Sequence, residues 1–180
     1  MPEQLVFAQT FESLFVRALG GKIDEGMRAR LRELGVDVDR LEPAYPFATW
    51  MKAVALAASM VYPEKPPPEA QQLLGRAVIE GYRATLIGRT LLRFLKVMGP
   101  RTAVSTATNA FKTGNNYTET RLRELGPTSV ELWMNEVGPF PEFTQGILAA
   151  GVEASGARGV KISYSKHDGH AALYSISWES

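Results

Sequence analysis

Residues 66–99, PPPEAQQLLGRAVIEGYRATLIGRTLLRFLKVMG, carry the longest helical pattern in the chain. Prolines 66–68 set its start, since proline fits a first helical turn but not an interior, and Gly99-Pro100 sets its end. The spacing predicts one helix over 69–98. Within it Ala77, Gly81, Ala84 and Gly88 fall at i, i+4, i+7 and i+11, so they share a face. Glycine costs a helix interior about 1 kcal/mol against alanine. The helix carries three glycines, Gly75, Gly81 and Gly88, and its face of small residues reads as a bare furrow that a neighbouring backbone or a flat ligand can approach closely.

At 180 residues the chain is read as a single domain, 1–180, with a helical part (1–113) and a strand-rich part (114–180). A chain of this size buries about 70% of its unfolded surface and folds without a metal or disulfide. It has no cysteine, which excludes disulfide frameworks, thiol catalysis and thiolate metal sites. Lys+Arg 20 against Asp+Glu 19 leaves a charge of +1, without the basic excess usual in nucleic-acid-binding domains. The start, MPEQLVFAQTFESLF, has Glu3 and no basic n-region, so no secretory signal is read and a cytoplasmic protein is expected. Residues 45–62 (YPFATWMKAVALAASMVY) carry one charge, Lys52, and reach the length of a membrane span. They are alanine-rich and bracketed by Pro46 and Pro63, so they are read as a buried helix and not as a span.

In chain order, Phe7, Phe11, Leu14, Phe15 and Ala18 mark a helix over 5–19 that Gly20-Gly21 ends, with an extended arm as the alternative for its first few residues. Asp24 is the expected N-cap of a short helix with Met27, Leu31 and Leu34 inward and Gly35 as its stop. Helix 46–62, a stiff connector at 62–68 and the long helix follow. Ala103, Ala107, Ala110 and Phe111 then have helical spacing up to Gly114-Asn115-Asn116. That makes about five helices. Residues 128–137 (TSVELWMNEV) are rich in strand formers. Residues 117–125 are compatible with either state; they are read as a strand because a hairpin across Gly126-Pro127 gives 128–137 a neighbour. Pro141 opens a helix with Phe143, Ile147, Ala150 and Ala154 inward and Gly156 as its stop. In the closing hairpin, Val160, Ile162 and Tyr164 alternate with polar residues, as do Ala172, Tyr174, Ile176 and Trp178. Both apolar sets share a face only if even positions pair with even ones. A three-residue loop, His167-Asp168-Gly169, achieves this and pairs Tyr164 with Ala172. The predicted class is α+β: helices first, then an antiparallel sheet in β-β-α-β-β order.

No phosphate-binding glycine loop, serine elbow or HExxH motif occurs. No paired carboxylates or nucleophile–base set is evident, and the chain is read as a non-enzyme without a cofactor. The only histidines, His167 and His170, fall at a hairpin tip with one carboxylate, Asp168, which makes a poor metal cage. Arg76, Arg83, Arg89, Arg93, Lys96 and Arg101 outnumber Glu69 and Glu80 along the long helix and are read as a solvated surface. GNNYTETR (114–121) gathers amide, hydroxyl and guanidinium groups where helices give way to strands, a common place for pockets. The candidate ligand-binding set is Trp50, Gly81, Tyr82, Gly88, Asn116, Tyr117, Arg121 and Trp133.

The segments FESLFVRAL, AYPFATW, LLGRAVIEGYRATLIGRTLL, GNNYTETRLRELGP, VELWMNEVG and ALYSISW together resemble an uncharacterised myxobacterial paralogous family, a domain of unknown function. More distantly, helices followed by strand–strand–helix–strand–strand resemble the fold shared by haem nitric-oxide-binding domains, four-vinyl-reductase sensors and TRAPP subunits. That group implies either a small molecule enclosed between helices and sheet or a dimeric scaffold. The haem branch uses a histidine in the helical part, absent here, and a Tyr-x-Ser-x-Arg motif; Tyr117–Arg121 has Glu119 in place of the serine. The metal-binding sensor branch uses cysteines. The glycine furrow and the Asn115–Arg121 junction, beside this resemblance, point to a regulatory, sensor-like domain for an apolar or amphipathic small molecule. The alternative is a homodimeric adaptor for protein partners without a ligand.

Overall fold

A computed structural model describes residues 2–179. Strand β1 (Leu5–Phe7) pairs antiparallel with β2 (Ala44–Pro46) through Val6 and Tyr45, so the expected helix 5–19 begins with an extended arm. Asn116 holds this arm, its Oδ1 accepting from Leu5 N at 2.8 Å and its Nδ2 donating to Glu3 O at 3.0 Å. Helix α1 (Ala8–Phe11) buries Phe11 and runs on as π-helical turns over Glu12–Ala18, which bury Leu14 and Phe15. Asp24 caps α2 (Glu25–Glu33), its Oδ1 accepting from Met27 N at 2.8 Å. Helix α3 (Phe47–Val61) buries Trp50, Ala53, Val54 and Ala57, and Trp50 meets Phe11, Phe15 and Phe143 edge-on.

The expected single helix 69–98 is two helices. Helix α4 (Pro67–Ala84) ends at Thr85, which is extended (φ −91°, ψ 156°) and starts α5 (Leu86–Ser105). Thr85 Oγ1 donates to Tyr82 O and accepts from Gly88 N, both at 3.0 Å, which closes one helix and caps the next. A Cβ on Gly88 would lie 2.2 Å from Tyr82 O, so Gly88 serves this reversal. The furrow is filled by the chain itself. A Cβ on Gly81 would lie 1.8 Å from Ser13 O; on another side of α4, one on Gly75 would lie 2.0 Å from Phe143 O. Gly99 (φ 81°, ψ 173°) interrupts α5 before Pro100, and α6 (Ala107–Lys112) follows.

The sheet has strand order β3-β4-β6-β5, antiparallel throughout: β3 (Thr120–Gly126), β4 (Ser129–Met134), β5 (Arg158–Ser165) and β6 (Ala172–Glu179). Helix α7 (Pro141–Ala154) lies between β4 and β5 in sequence and packs tightly on α4, where a Cβ on Gly146 would lie 2.1 Å from Gln72 O. Even-numbered residues of β4 and β6 point inward: Val130, Leu132, Met134, Ala172, Tyr174 and Ile176 are all buried. In the last hairpin even residues do pair with even, but Tyr164 faces Tyr174, not Ala172. The connection is longer because it is tied sideways: Val137 N donates to His170 O at 2.7 Å, and a His167 ring nitrogen lies 2.9 Å from Gly138 O. Asp168 Oδ1 closes the turn, accepting from His170 N and Ala171 N.

Two apolar cores result. One joins α1–α4 with Phe143; the other joins the inner sheet face to Val104, Ala107, Leu148 and Val152. Helix α7 serves both. Among the described residues no helix is long and apolar enough to cross a membrane.

Candidate functional site

A cavity of about 140 Å³ lies where the two cores meet. Trp50 and Met51 of α3 and Val78 and Tyr82 of α4 form one wall. Leu91, Leu92 and Leu95 of α5 form the roof, and Met134, Phe143 and Leu148 close the sheet side. The space exists because Ala103, Ala107, Ala110 and Gly151 stand where larger side chains would fill it. An apolar cavity of about 150 Å³ admits benzene, whereas drug-sized sites start near 300 Å³.

Polar groups are few and mostly engaged. Thr10 Oγ1 donates to Gly114 O at 3.1 Å and accepts from the Tyr82 hydroxyl at 3.1 Å. Burial holds the Tyr82 phenol above its ordinary range, in spite of these hydroxyl contacts. Asn115 Oδ1 accepts from Tyr117 N and Thr118 N, fixing the turn into the sheet. Glu136, 8% exposed, accepts from Gly138 N at 3.0 Å and lies 3.1 Å from His170 Nδ1. Burial, and secondarily the Glu136 carboxylate, pushes the Tyr117 phenol far above its usual range. The cavity thus offers one carboxylate, Glu136, and two phenols that burial keeps protonated, Tyr82 and Tyr117.

Of the eight residues singled out in the sequence, Trp50, Tyr82 and Tyr117 line the cavity. Asn116 does not; its neighbour Asn115 does, while Asn116 clasps β1. Gly81 and Gly88 face backbone, not open space. Arg121 and Trp133 are cross-strand partners on the outer sheet face, the guanidinium 4.8 Å from the ring centroid, because odd positions of β4 point away from the core. Neither histidine lines the cavity, and among the described residues no cluster of potential metal ligands exists. Met134, Leu95 and Leu148 were not anticipated. Their signal was the alanine spacing 103, 107, 110, read only as a helix face, which marks where the chain leaves room.

Comparison with known proteins places this architecture. A family profile described as "Protein of unknown function (DUF2378)" matches residues 4–179. The chain belongs to the DUF2378 family. No curated protein matches its sequence. Among solved structures, this DUF2378 chain is similar to the Fe(II) unliganded H-NOX protein from K. algicida, with TM-score 0.68 and 13% identity over 96% of this chain and 95% of that one. It is similar also to an H-NOX protein from S. oneidensis in the Fe(II)NO ligation state, with TM-score 0.66 and 15% identity over 96% and 98% of the two chains. At such identity the likeness establishes a shared α+β fold. The chemistry of the DUF2378 chain has to come from its own residues.

Proposed function

We propose that this DUF2378 chain is a non-enzymatic, sensor-like domain whose cavity takes a small apolar or amphipathic molecule. The observation that carries the reading is the apolar cavity of about 140 Å³ bounded by both cores. A molecule seated there touches α4, α5 and the sheet together, so its arrival changes how they pack. The names of the similar H-NOX structures, which record ligation states, lend the same reading a fold-level analogy.

Haem does not fit these residues. Haem iron needs an axial histidine, thiolate, methionine–histidine pair or tyrosinate. The chain has no cysteine, and His167 and His170 are bound to Gly138 O and Glu136 outside the cavity. Tyr82 and Tyr117 would have to ionise, and burial opposes that in both. The space also falls short of a drug-sized site, let alone a macrocycle. Against catalysis, the rim carboxylate Glu136 is committed to Gly138 N and His170.

Native mass spectrometry of protein from its own host, with thermal shifts against benzene and indole as probes, tests the reading. A probe at about 100 times its dissociation constant adds about 2.7 kcal/mol, or roughly 5–10 °C for a chain of this size. Ala107→Phe, which fills the space, abolishes that shift. Absence of any shift in the parent chain overturns the reading. The homodimeric adaptor remains the second reading. It predicts a glycine face filled by protein atoms, as at Gly81, and no cavity, which the space of about 140 Å³ opposes; a monomer in sedimentation removes it.

A further inference from the structure

The outer face of α5 is the least explained surface of the molecule. Leu86, Ile87, Phe94, Val97 and Met98 are exposed, Leu86 at 75% and Val97 at 84%. Buried Gly88 and Leu95, with half-buried Leu92, fall at i, i+4 and i+7 and turn inward, so the exposed apolar residues occupy the opposite face. Arg89, Arg93 and Lys96, at i, i+4 and i+7, form a strip between the two faces. Arg83 pairs with Glu80 and Arg101 with Glu124, but these three cations have no ion-pair partner among the described residues. The sequence contains no aspartate or glutamate between Glu80 and Glu119. Among the described residues, three cations without an ion-pair partner and with no acidic residue near them in sequence thus run beside the largest set of exposed apolar side chains.

We infer that α5 docks on the surface of an anionic lipid bilayer. An interfacial helix buries its apolar face about 5–10 Å into the headgroup boundary, with cations along its edge at phosphate level. The strip from Leu86 to Met98 is about 18 Å long at helical rise, and aliphatic stems let Arg89, Arg93 and Lys96 reach headgroups while the apolar side chains stay buried. A protein partner would need carboxylates at matched positions. A fluid anionic surface needs only the segregation of apolar face and cationic edge seen here. The inference stands independently of what the cavity holds.

The test is co-sedimentation of the full chain with vesicles of phosphatidylcholine alone, and of phosphatidylcholine and phosphatidylglycerol in equal parts. Binding to the anionic vesicles that weakens at high salt is expected. Each cation near such a surface contributes about a fivefold gain in partitioning. The triple variant Arg89→Gln/Arg93→Gln/Lys96→Gln therefore binds about 100-fold more weakly. Phe94→Asn/Val97→Asn keeps every charge yet also loses binding. Both variants alter exposed positions, and an unchanged melting temperature verifies their folding. Binding that neither variant alters overturns the proposal, as does a parent chain that leaves anionic vesicles in the supernatant. A dimer in sedimentation that Phe94→Asn/Val97→Asn splits to monomers, without vesicle binding, gives the face to a second copy and overturns it too.

Discussion

Helices α4 and α5 are consecutive, and both carry glycine, yet they are held in different ways. Helix α4 is clamped: Gly75 lets α7 approach, Gly81 lets the π-helical segment approach, and Ser13 Oγ donates to Val78 O at 2.5 Å. Helix α5 buries Gly88, Leu95, Ala103 and Val104, with a cavity beneath it and exposed apolar side chains above. The glycines of α4 and Gly88 thus mark close backbone neighbours, whereas ligand space arises where alanines and Gly151 face a layer that does not reach them.

The sharpest way to break this contrast is Gly81→Ala. The new methyl has nowhere to go against the Ser13 carbonyl, so a loss of about 4 kcal/mol or outright failure to fold is expected. A urea midpoint within error of the parent would show that α4 is not clamped. The next effect is alkaline. The Tyr117 phenol is raised above its ordinary value of about 10 by burial and then by Glu136. The unfolded chain therefore releases that proton first; stability is full below about pH 10 and falls above it, by up to about 1.4 kcal/mol per pH unit from this group. Tyr117→Phe flattens that portion of the slope in urea titrations run on either side of pH 10. If the slope is unchanged, the phenol is not shielded at the cavity rim.

Gly151→Ala is the converse of Gly81→Ala. It lines the cavity in the middle of α7 and a Cβ there meets nothing within 4 Å, so a gain of about 0.5–1 kcal/mol is expected by thermal melting. A loss would mean that the space is smaller than it looks. Smallest of all is Val97→Asn on α5, expected to change stability by no more than about 0.5 kcal/mol. A larger drop would show that this face is covered in the free chain.

The site was partly legible. Trp50 and Tyr82 stood out as large aromatics on apolar helix faces, and Tyr117 by its place at the junction of the two layers. Trp133 was misplaced because a strand's alternation does not say which of its two faces is covered until its neighbours are known. Gly81 and Gly88 were misplaced because a bare helix face looks the same in sequence whether a ligand or a backbone fills it. Thr85 was passed over inside a helical pattern, although a threonine followed three residues later by a free amide is an N-cap wherever the chain bends.

Local patterning alone fixed much of this protein. Asp24 starts a helix, Gly99-Pro100 interrupts one, Pro141 starts another, and period-2 alternation makes strands of the closing residues, all through interactions within a few positions. The tertiary structure decided the rest: the break at Thr85, the two-residue shift of the last hairpin, the filling of the furrow and the position of the cavity. Each depends on which distant backbone arrives at a given surface, and short-range spacing carries no record of that.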